Sequence, residues 1–263
     1  SWLADEGFAV PRVAGGFKAL RRFLMQTLQR VGLSSPLLVV AGKTGCGKTS
    51  LVNGFTAGID LEGLAGHRGS AFGRRLESQP SQIDFEHRLA TALLKLPFHR
   101  FSRLVVEDEG RAIGSLSIPQ TLFDSMRRAP LAIIEDSLDH RVDRILRDYI
   151  DDNYREFQTA DPENATQLLS NHLLSAMDRI RKRLGDERYG EIRQDLLAAL
   201  NDQFDTGEQS AHRTWIEKLL RHYYDPMYEY QLEKKSHRIV FRGNREEFQA
   251  WARHLNFKGS PAP

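Results

Sequence analysis

The residues from Gly42 to Thr49 form a complete phosphate-binding loop motif. They match the pattern G-x-x-x-x-G-K-[ST] at every position. Glycines at this spacing let successive backbone N–H groups point at phosphate oxygens, while the lysine reaches a terminal phosphate and the threonine holds Mg²⁺. Lys48 is therefore a catalytic candidate and Thr49 a candidate magnesium ligand. The predicted phosphate-binding residues are Gly42, Lys43, Thr44, Gly45, Cys46, Gly47, Lys48, Thr49 and Ser50.

The sequence around this loop argues against a chance glycine-rich turn. A continuous apolar run, 36–41, precedes it, as a buried parallel strand would, and helix-forming residues follow it. Cys46 occupies a variable position of the motif, which favours a packing role over a reactive thiol.

Three acidic residues follow a second apolar run, 104–106. Glu107, Asp108 and Glu109 stand where a phosphate-loop protein places the carboxylate that orients magnesium or its water. Asp108 is the predicted catalytic and metal-binding member. The alternative is that the three acids simply end a strand in solvent.

Two further segments carry polar and aromatic side chains that could contact a substrate. In the loop 67–73, His67 and Arg68 could clamp a phosphate, and Phe72 could stack on a ring or pack against an apolar tail. Residues 223–230 contain four tyrosines and precede a basic run, a combination that suits stacking on unpaired bases. The residues alone favour the alternative that these tyrosines cover the sheet edge or a helical core.

Composition narrows the class of protein. The 263 residues are 40% hydrophobic and 27% charged, and they include one cysteine, which excludes an internal disulfide and fits a reducing cytoplasm. No window approaches the roughly 18 apolar residues of a membrane helix, and no signal peptide is visible. Because 37 basic and 35 acidic residues nearly cancel, any nucleic-acid surface must come from local clustering. Neither a guanine-reading Asn-Lys-x-Asp motif nor a Leu-Ser-Gly-Gly-Gln signature occurs.

The order of the apolar patterns predicts an α/β fold. Apolar runs alternate with helical stretches as far as residue 136, which is typical of a P-loop NTPase-like parallel sheet flanked by helices. From Ser137, which is predicted to cap the first helix, the apolar spacing becomes helical and predicts a largely helical C-terminal part. A late edge strand at 238–242 and a final helix, begun by a capping box of Asn244 and Glu247, complete the prediction.

Four segments together resemble tRNA 2-selenouridine synthase. They are 60–65 (Asp-Leu-Glu-Gly-Leu-Ala), 67–73 (His-Arg-Gly-Ser-Ala-Phe-Gly), 107–114 (Glu-Asp-Glu-Gly-Arg-Ala-Ile-Gly) and 223–228 (Tyr-Tyr-Asp-Pro-Met-Tyr). That family joins an N-terminal rhodanese-like domain to a C-terminal P-loop domain. The resemblance divides the chain into 1–24, the end of the rhodanese-like domain and the start of a linker helix, 25–136, the P-loop core, 137–236, a helical subdomain, and 237–263, the final strand and helix.

The resemblance implies a tRNA-modifying transferase that converts wobble 2-thiouridine of bacterial tRNA into 2-selenouridine. The family passes through an S-geranyl intermediate, with geranyl diphosphate and selenophosphate as co-substrates, and Gly42–Thr49 would hold the diphosphate, with Mg²⁺ assisting. Arg68 joins the catalytic candidates. The substrate or tRNA candidates are His67, Arg68, Ser70, Phe72, Glu109, Arg111, Tyr223, Tyr224, Asp225 and Tyr228.

The resemblance also implies an upstream partner. The rhodanese-like domain with its catalytic cysteine would precede this chain, so we expect selenium insertion by this chain alone to be crippled. Gly110 stands where the family usually has a serine, which removes a possible ligand. Two other functions stay open: a P-loop NTPase or small-molecule kinase that never contacts RNA, and a regulatory nucleotide-binding module. Salt-sensitive binding of a specific tRNA would separate the first function from these.

Overall fold

The apolar run after Pro36 forms the central strand of a five-stranded parallel sheet. The computed structural model describes residues 5–9, 11–97 and 103–254. Its strands are β1 (Leu37–Ala41), β2 (Gly58–Ile59), β3 (Leu104–Glu107), β4 (Ala112–Ile113), β5 (Leu116–Ser117), β6 (Leu131–Ile134) and β7 (Ile239–Gly243). The large sheet has the order β2–β3–β1–β6–β7 with every pair parallel, while β4 and β5 form a separate hairpin. The carboxyl ends of β1, β3 and β6 therefore meet at one edge.

Helices cover both faces of the sheet and continue into a separate helical subdomain. They are α1 (Gly16–Ser34), α2 (Lys48–Asn53), α3 (Leu61–Ala65), α4 (Gln82–Lys95), α5 (Gln120–Arg128), α6 (Leu138–Leu146), α7 (Asp152–Ala160), α8 (Ala165–Leu184), α9 (Asp186–Thr206), α10 (His212–Leu219), α11 (Asp225–Glu233) and α12 (Arg245–His254). Two π-helical turns, Arg147–Asp151 and Leu220–Tyr224, join α6 to α7 and α10 to α11. A 3₁₀ turn, Ser236–Arg238, leads into β7.

Alternation along β1 supplies two hydrophobic layers. Leu37, Val39 and Ala41 pack with α1, α4 and α5, whereas Leu38 and Val40 face the layer of α2 and α12. Successive side chains of a strand point to opposite faces, so one fully buried strand serves both layers. The sheet is thus covered on each side, as the sequence predicted.

The apolar stripes predicted after Ser137 build the core of the helical subdomain, α6 to α11. Leu169, Leu173 and Met177 of α8 pack there with Leu196 and Leu200 of α9. Ser137 caps α6 by accepting a hydrogen bond from the backbone N–H of His140 at 3.2 Å. The predicted helices of this part are confirmed. The π-helical turns were not predicted, because the apolar spacing of the sequence does not distinguish them from an α-helix.

The end of the chain also follows the prediction. β7 lies at the sheet edge beside β6, and α12 begins with the predicted capping box: the Glu247 N–H donates to Asn244 Oδ1 at 3.0 Å, and the Asn244 N–H donates to Glu247 Oε2 at 2.8 Å. Residues 255–263 of the last predicted segment lie outside the described residues.

The predicted boundary at residues 24 and 25 falls within α1, in keeping with a first segment that includes the start of a linker helix. α1 runs unbroken from Gly16 to Ser34 and buries Leu24, Leu28 and Val31 against α4 and α5. The division of the chain into domains stays a prediction. Within the described ranges, no helix is long and apolar enough to cross a membrane.

His212 is a buried polar residue of the helical core. Its Nδ1 accepts a hydrogen bond from Trp215 Nε1 at 2.8 Å, and its Nε2 lies 2.8 Å from Gln203 Oε1. Because an indole N–H can only donate, the imidazole proton belongs on Nε2, where it donates to Gln203. This environment holds the ring neutral, and burial lowers the pKa of His212 to about 4.

We expect His212 to make folding weaker as the pH falls from about 6.5 to about 4. The unfolded chain takes up a proton at this side chain across that range and the folded chain does not, so stability present above pH 6.5 is lost. The loss is about 3 kcal/mol. Urea unfolding of wild type and His212→Gln at several pH values measures it: the variant should show a flatter pH dependence, and equal slopes would contradict the assignment.

Candidate functional site

The phosphate loop connects β1 to α2 at the carboxyl edge of the sheet. Gly45 and Gly47 have φ angles of +84° and +80°, a left-handed conformation that favours glycine. A Cβ atom on Gly45 would lie 3.0 Å from the carbonyl oxygen of Arg141. The loop residues that line the adjoining cleft are Gly42, Thr44, Gly45, Gly47, Lys48, Thr49 and Ser50.

Two predicted phosphate-binding residues face elsewhere. The Lys43 ammonium donates to Glu229 Oε1 at 2.7 Å and to Asp225 Oδ2 at 3.4 Å, so its charge is used on α11. Cys46 is buried and packs in the hydrophobic layer with Leu51 and Val52, in agreement with the predicted packing role. Both residues shape the loop from outside the cleft.

Lys48 lies among three carboxylates. Its Nζ donates to the carbonyl oxygen of Gly42 at 3.2 Å. Burial disfavours its charge, but Cys46 and the carboxylates of Glu109, Glu62 and Glu107 outweigh burial and raise the pKa of Lys48. Lys48 is therefore firmly cationic, as a residue that binds phosphate must be.

Burial raises the pKa of each of these three carboxyl groups, and repulsion between neighbouring carboxylates adds to the effect for all three. The Thr49 hydroxyl donates to Glu62 Oε2 at 3.3 Å. Like charges this close cannot all remain ionised in a poorly solvated site unless a cation joins them. The three carboxyl groups beside Thr49 and Lys48 therefore retain protons or bind a cation.

The acid beside Thr49 on β3 is Glu107 rather than Asp108. Glu107 pairs in register with Val40 of β1, is fully buried, and has both carboxylate oxygens without a hydrogen-bond partner among the described residues. Asp108, the predicted metal and catalytic acid, instead forms an ion pair with Lys235 at 2.7 and 2.8 Å. Asp108 still lines the cleft, whereas Glu107 lies next to Thr49 and is not part of the cleft wall. The metal-binding role of Asp108 stays a prediction, and Glu107 is a second candidate.

The cleft itself has a volume of about 840 Å³, within the usual range for small-ligand sites. Besides Lys48, the cations that line it are Arg68, Arg75, Arg144, Arg147 and Arg183. A site with this lining favours a ligand of multiple negative charge.

The sequence analysis missed two arginines of α6 that hold the phosphate loop. Arg144 donates to the carbonyl oxygen of Gly45, pairs with Asp136 at 3.0 Å, and lies against Gly47. Arg141 donates through Nε to the carbonyl oxygen of Thr44 at 2.9 Å. Their spacing of three residues places them on one face of α6. This shared face could have been predicted from the sequence, because the capping residue Ser137 marks where the helix begins.

Asp225, a predicted substrate contact, is instead a structural anchor. Its carboxylate accepts two hydrogen bonds from the Arg141 guanidinium, at 2.9 and 2.5 Å, and Arg141 is only 3% exposed. Asp225 also lines the neighbouring groove rather than the phosphate cleft. The Tyr-Tyr-Asp-Pro segment therefore fixes the phosphate loop to the helical subdomain.

The loop 67–73 is pinned to the helical subdomain through several contacts. Arg68 donates to Asn153 Oδ1 at 2.8 Å and lies 5.4 Å from the ring centroid of Tyr149, while Ser70 Oγ and Tyr149 OH are 3.0 Å apart. His67 is buried, and burial together with nearby arginines lowers its pKa. Arg68 and Ser70 line the cleft, whereas His67 supports the loop from beneath.

The remaining predicted substrate residues separate into two groups. Glu109, Tyr224 and Tyr228 line the cleft. Tyr223 is buried in the helical core, which leaves it no face for base stacking, and the exposed Arg111 is not part of the cleft wall.

An apolar wall closes one side of the cleft. Ile145, Tyr149 and Tyr224 belong both to the cleft and to a narrow apolar cavity of about 20 Å³ behind it. Phe72 and Trp215, whose rings stack with centroids 5.6 Å apart, line the cavity. Phe72 is thus buried next to an apolar space. Its contact with an apolar tail stays a prediction.

No group of three or more His, Cys, Asp or Glu side chains in the described ranges is arranged to hold a metal ion alone. A magnesium ion in a phosphate loop takes most ligands from phosphate and water, so one hydroxyl and one carboxylate suffice. Thr49 lines the cleft, and the buried Glu107, whose oxygens are unpaired, lies next to Thr49 without reaching the cleft wall. These two residues are the candidate donor set.

We expect Asp225→Asn to destabilise the fold and weaken diphosphate binding, because it leaves the buried Arg141 charge uncompensated. The cost in unfolding free energy is on the order of 3 kcal/mol. Denaturant unfolding and calorimetric titration with magnesium diphosphate measure the two effects. Glu229→Gln, which removes the exposed partner of Lys43, is the matched control and should cost about 1 kcal/mol or less. Equal effects of the two variants would refute the anchor.

Comparisons with known proteins agree with this architecture. The sequence model of the tRNA 2-selenouridine synthase AAA domain matches residues 35–258. Curated proteins named tRNA 2-selenouridine synthase include one from Serratia proteamaculans, 49% identical over 94% of this chain and 66% of the relative, and one from Cupriavidus pinatubonensis, 46% identical over 96% and 69%. The chain spans about two thirds of the length of these relatives, and no solved structure is a significant match. The chain belongs to the tRNA 2-selenouridine synthase family and contains the AAA domain of that family.

Proposed function

We propose that this chain is the transferase part of a tRNA-modifying enzyme that converts wobble 2-thiouridine into 2-selenouridine through an S-geranyl intermediate. Its relatives carry the name tRNA 2-selenouridine synthase. The observation that carries the proposal is that one cleft combines a phosphate loop with an apolar wall. A diphosphate attached to a prenyl chain has this combination of a charged head and an apolar tail.

The phosphate loop binds the diphosphate head. Lys48 and Arg144 reach into the cleft from opposite sides of the loop, and the loop glycines allow close approach of the backbone. Negative charge grows on the diphosphate as its bond to the prenyl carbon breaks. Fixed cations stabilise that charge more than they stabilise the bound substrate, which accelerates the step.

The geranyl chain lies along Ile145, Tyr149, Tyr224 and Met227, with its far end toward the cavity beneath Phe72. Each CH₂ group removed from water there contributes about 0.8 kcal/mol. Two lining tyrosines stand on the π-helical turns, where the widened helix turns their side chains toward the cleft.

The transfer joins the sulfur of 2-thiouridine to C1 of the geranyl group. The C1–O bond breaks, the diphosphate leaves with the bonding electron pair, and the N3 proton of the base passes to water. In a second stage selenium from selenophosphate bonds to C2 of the base, the C2–S bond breaks with release of geranylthiol, and hydrolysis of the selenium–phosphorus bond releases phosphate. The rhodanese-like domain of the family takes part in this stage.

Thr49 and Glu107 would hold Mg²⁺ beside the diphosphate. Glu107 fits this role because its two buried carboxylate oxygens have no other partner among the described residues. The bound ion supplies further neutralisation of the leaving group. Arg68 orients the substrate from the loop 67–73, where Asn153 and Tyr149 fix its guanidinium.

A P-loop NTPase or small-molecule kinase that does not act on RNA is the alternative function. A cleft of about 840 Å³ has room for a nucleoside triphosphate, and the loop motif itself does not discriminate. ATP turnover without RNA, at a rate that tRNA does not change, would favour this alternative.

The test is incubation of the chain with 2-thiouridine tRNA, geranyl diphosphate and Mg²⁺, followed by mass spectrometry of the digested nucleosides. We expect S-geranyl-2-thiouridine in the wild type. Lys48→Ala should lower its rate of formation about 100-fold or more, because it removes a cation that stabilises the leaving group.

Lys43→Ala is the matched control, since it removes a lysine from the same loop that faces α11 rather than the cleft. It should retain most of the activity. A geranyl product that forms equally well in Lys48→Ala would contradict the placement of the diphosphate in the loop.

A further inference from the structure

Five arginines converge beside the cleft, where the loop 67–75 meets α8. Arg68, Arg74 and Arg75 come from the loop, and Arg179 and Arg183 come from the last turns of α8. We call these five residues the arginine patch. Within the described ranges, none of them forms an ion pair, whereas the neighbouring Arg181 pairs with Asp186 at 2.8 Å.

The two halves of the patch are held together by direct contacts. Arg179 donates to the carbonyl oxygen of Ala71 at 2.6 Å, and His172 of α8 lies 3.4 Å from the carbonyl oxygen of Phe72. His67 forms a β-bridge with Arg74. The loop and the helix therefore present their positive charges as one fixed surface.

The pKa values of two neighbouring histidines reflect this concentration of positive charge. Burial and the charges of Arg74, Arg179 and Arg75 lower the pKa of His67, and burial with Arg179, Arg68 and Arg74 lowers that of His172. Burial is the larger cause of both lowered pKa values, and the like charges of the arginines add to it. Assembling unpaired arginines in this way is unfavourable unless an anion joins them.

We propose that the arginine patch binds the phosphate backbone of the RNA substrate and guides the modified base into the cleft. Arg68, Arg75 and Arg183 line both the patch and the cleft that contains Lys48, so a strand bound to the patch ends at the phosphate loop. A guanidinium binds phosphate through two parallel hydrogen bonds, which suits arginine rather than lysine at fixed positions. This inference rests on the proposed function and names the surface that recognises its macromolecular substrate.

The chemistry favours RNA over a free small anion as the occupant. Arg74 and Arg179 do not line the cleft, so the five charges are not all directed at a diphosphate bound there. The whole chain has a formal charge of only +2, so this local excess is specific to the surface. A chain of phosphates matches cations that continue from the cleft wall onto the neighbouring surface.

The test measures binding of a fluorescently labelled anticodon stem-loop RNA by anisotropy at several salt concentrations. The triple variant Arg74→Gln/Arg75→Gln/Arg183→Gln removes three exposed charges. It should weaken binding at least tenfold and reduce the slope of log K against log salt by about 2, since each lost contact to a single strand removes about 0.7.

Two controls accompany this variant. Arg22→Gln removes one exposed, unpaired arginine of α1, which packs on the far layer with α4 and α5, and should bind RNA like the wild type. The corresponding triple variant with lysine keeps the charge but not the paired hydrogen bonds of the guanidinium, and should recover part of the affinity. Thermal unfolding of each variant shows whether the fold is retained.

The outcomes separate this inference from the proposed function. Wild-type RNA affinity in the glutamine triple variant would overturn the patch and leave the transferase function standing. Absence of RNA binding by the wild-type chain would contradict both. Loss of binding in the glutamine variant with recovery in the lysine variant would support the patch whether or not a geranyl product forms.

Discussion

The site depends on one buried guanidinium. Arg141 donates two hydrogen bonds to the Asp225 carboxylate and a third to the carbonyl oxygen of Thr44. It thus joins the phosphate loop to α11, which begins 84 residues after Arg141. A charge this buried is tolerable only because all of these bonds are formed together. The same link sets the apolar wall against the loop, because Ile145 follows Arg141 by one helical turn. The position of the helical subdomain therefore determines the shape of the cleft.

Electrostatic imbalance is the second organising feature. Three carboxyl groups surround Lys48, while Arg68, Arg75 and Arg183, which form no ion pair among the described residues, line the same cleft. The acidic groups suit a metal ion and the arginines suit phosphate, so the cleft is complementary to a magnesium-bound anion. Such an arrangement is costly to folding and is retained where a ligand completes it. The site is therefore preorganised for a ligand that is not part of the chain.

Local sequence patterns predicted the sheet, the helical stripes, the caps at Ser137 and Asn244 and the phosphate loop, because neighbouring residues determine all of these. The choice between Glu107 and Asp108 was also within reach, since strand alternation places Glu107 on the same side as Val105, in the layer of α2. The ion pairs of Asp225 with Arg141 and of Asp108 with Lys235 join residues far apart in the chain, and no local pattern encodes them. Burial of Tyr223 likewise follows from how α10 and α11 pack. The motif residues were thus found, but their division between anchoring and binding required the tertiary structure.

The central claim is that one cleft recognises a diphosphate and an apolar chain together. Calorimetric titration of the wild-type chain, in the presence of Mg²⁺, with geranyl diphosphate, inorganic diphosphate and ATP tests this most directly. The account predicts that geranyl diphosphate binds at least about tenfold more tightly than inorganic diphosphate, since burial of two or three CH₂ groups at about 0.8 kcal/mol each gives that factor. It also predicts that geranyl diphosphate binds more tightly than ATP. Equal affinities for geranyl and inorganic diphosphate, or a clear preference for ATP, would contradict it.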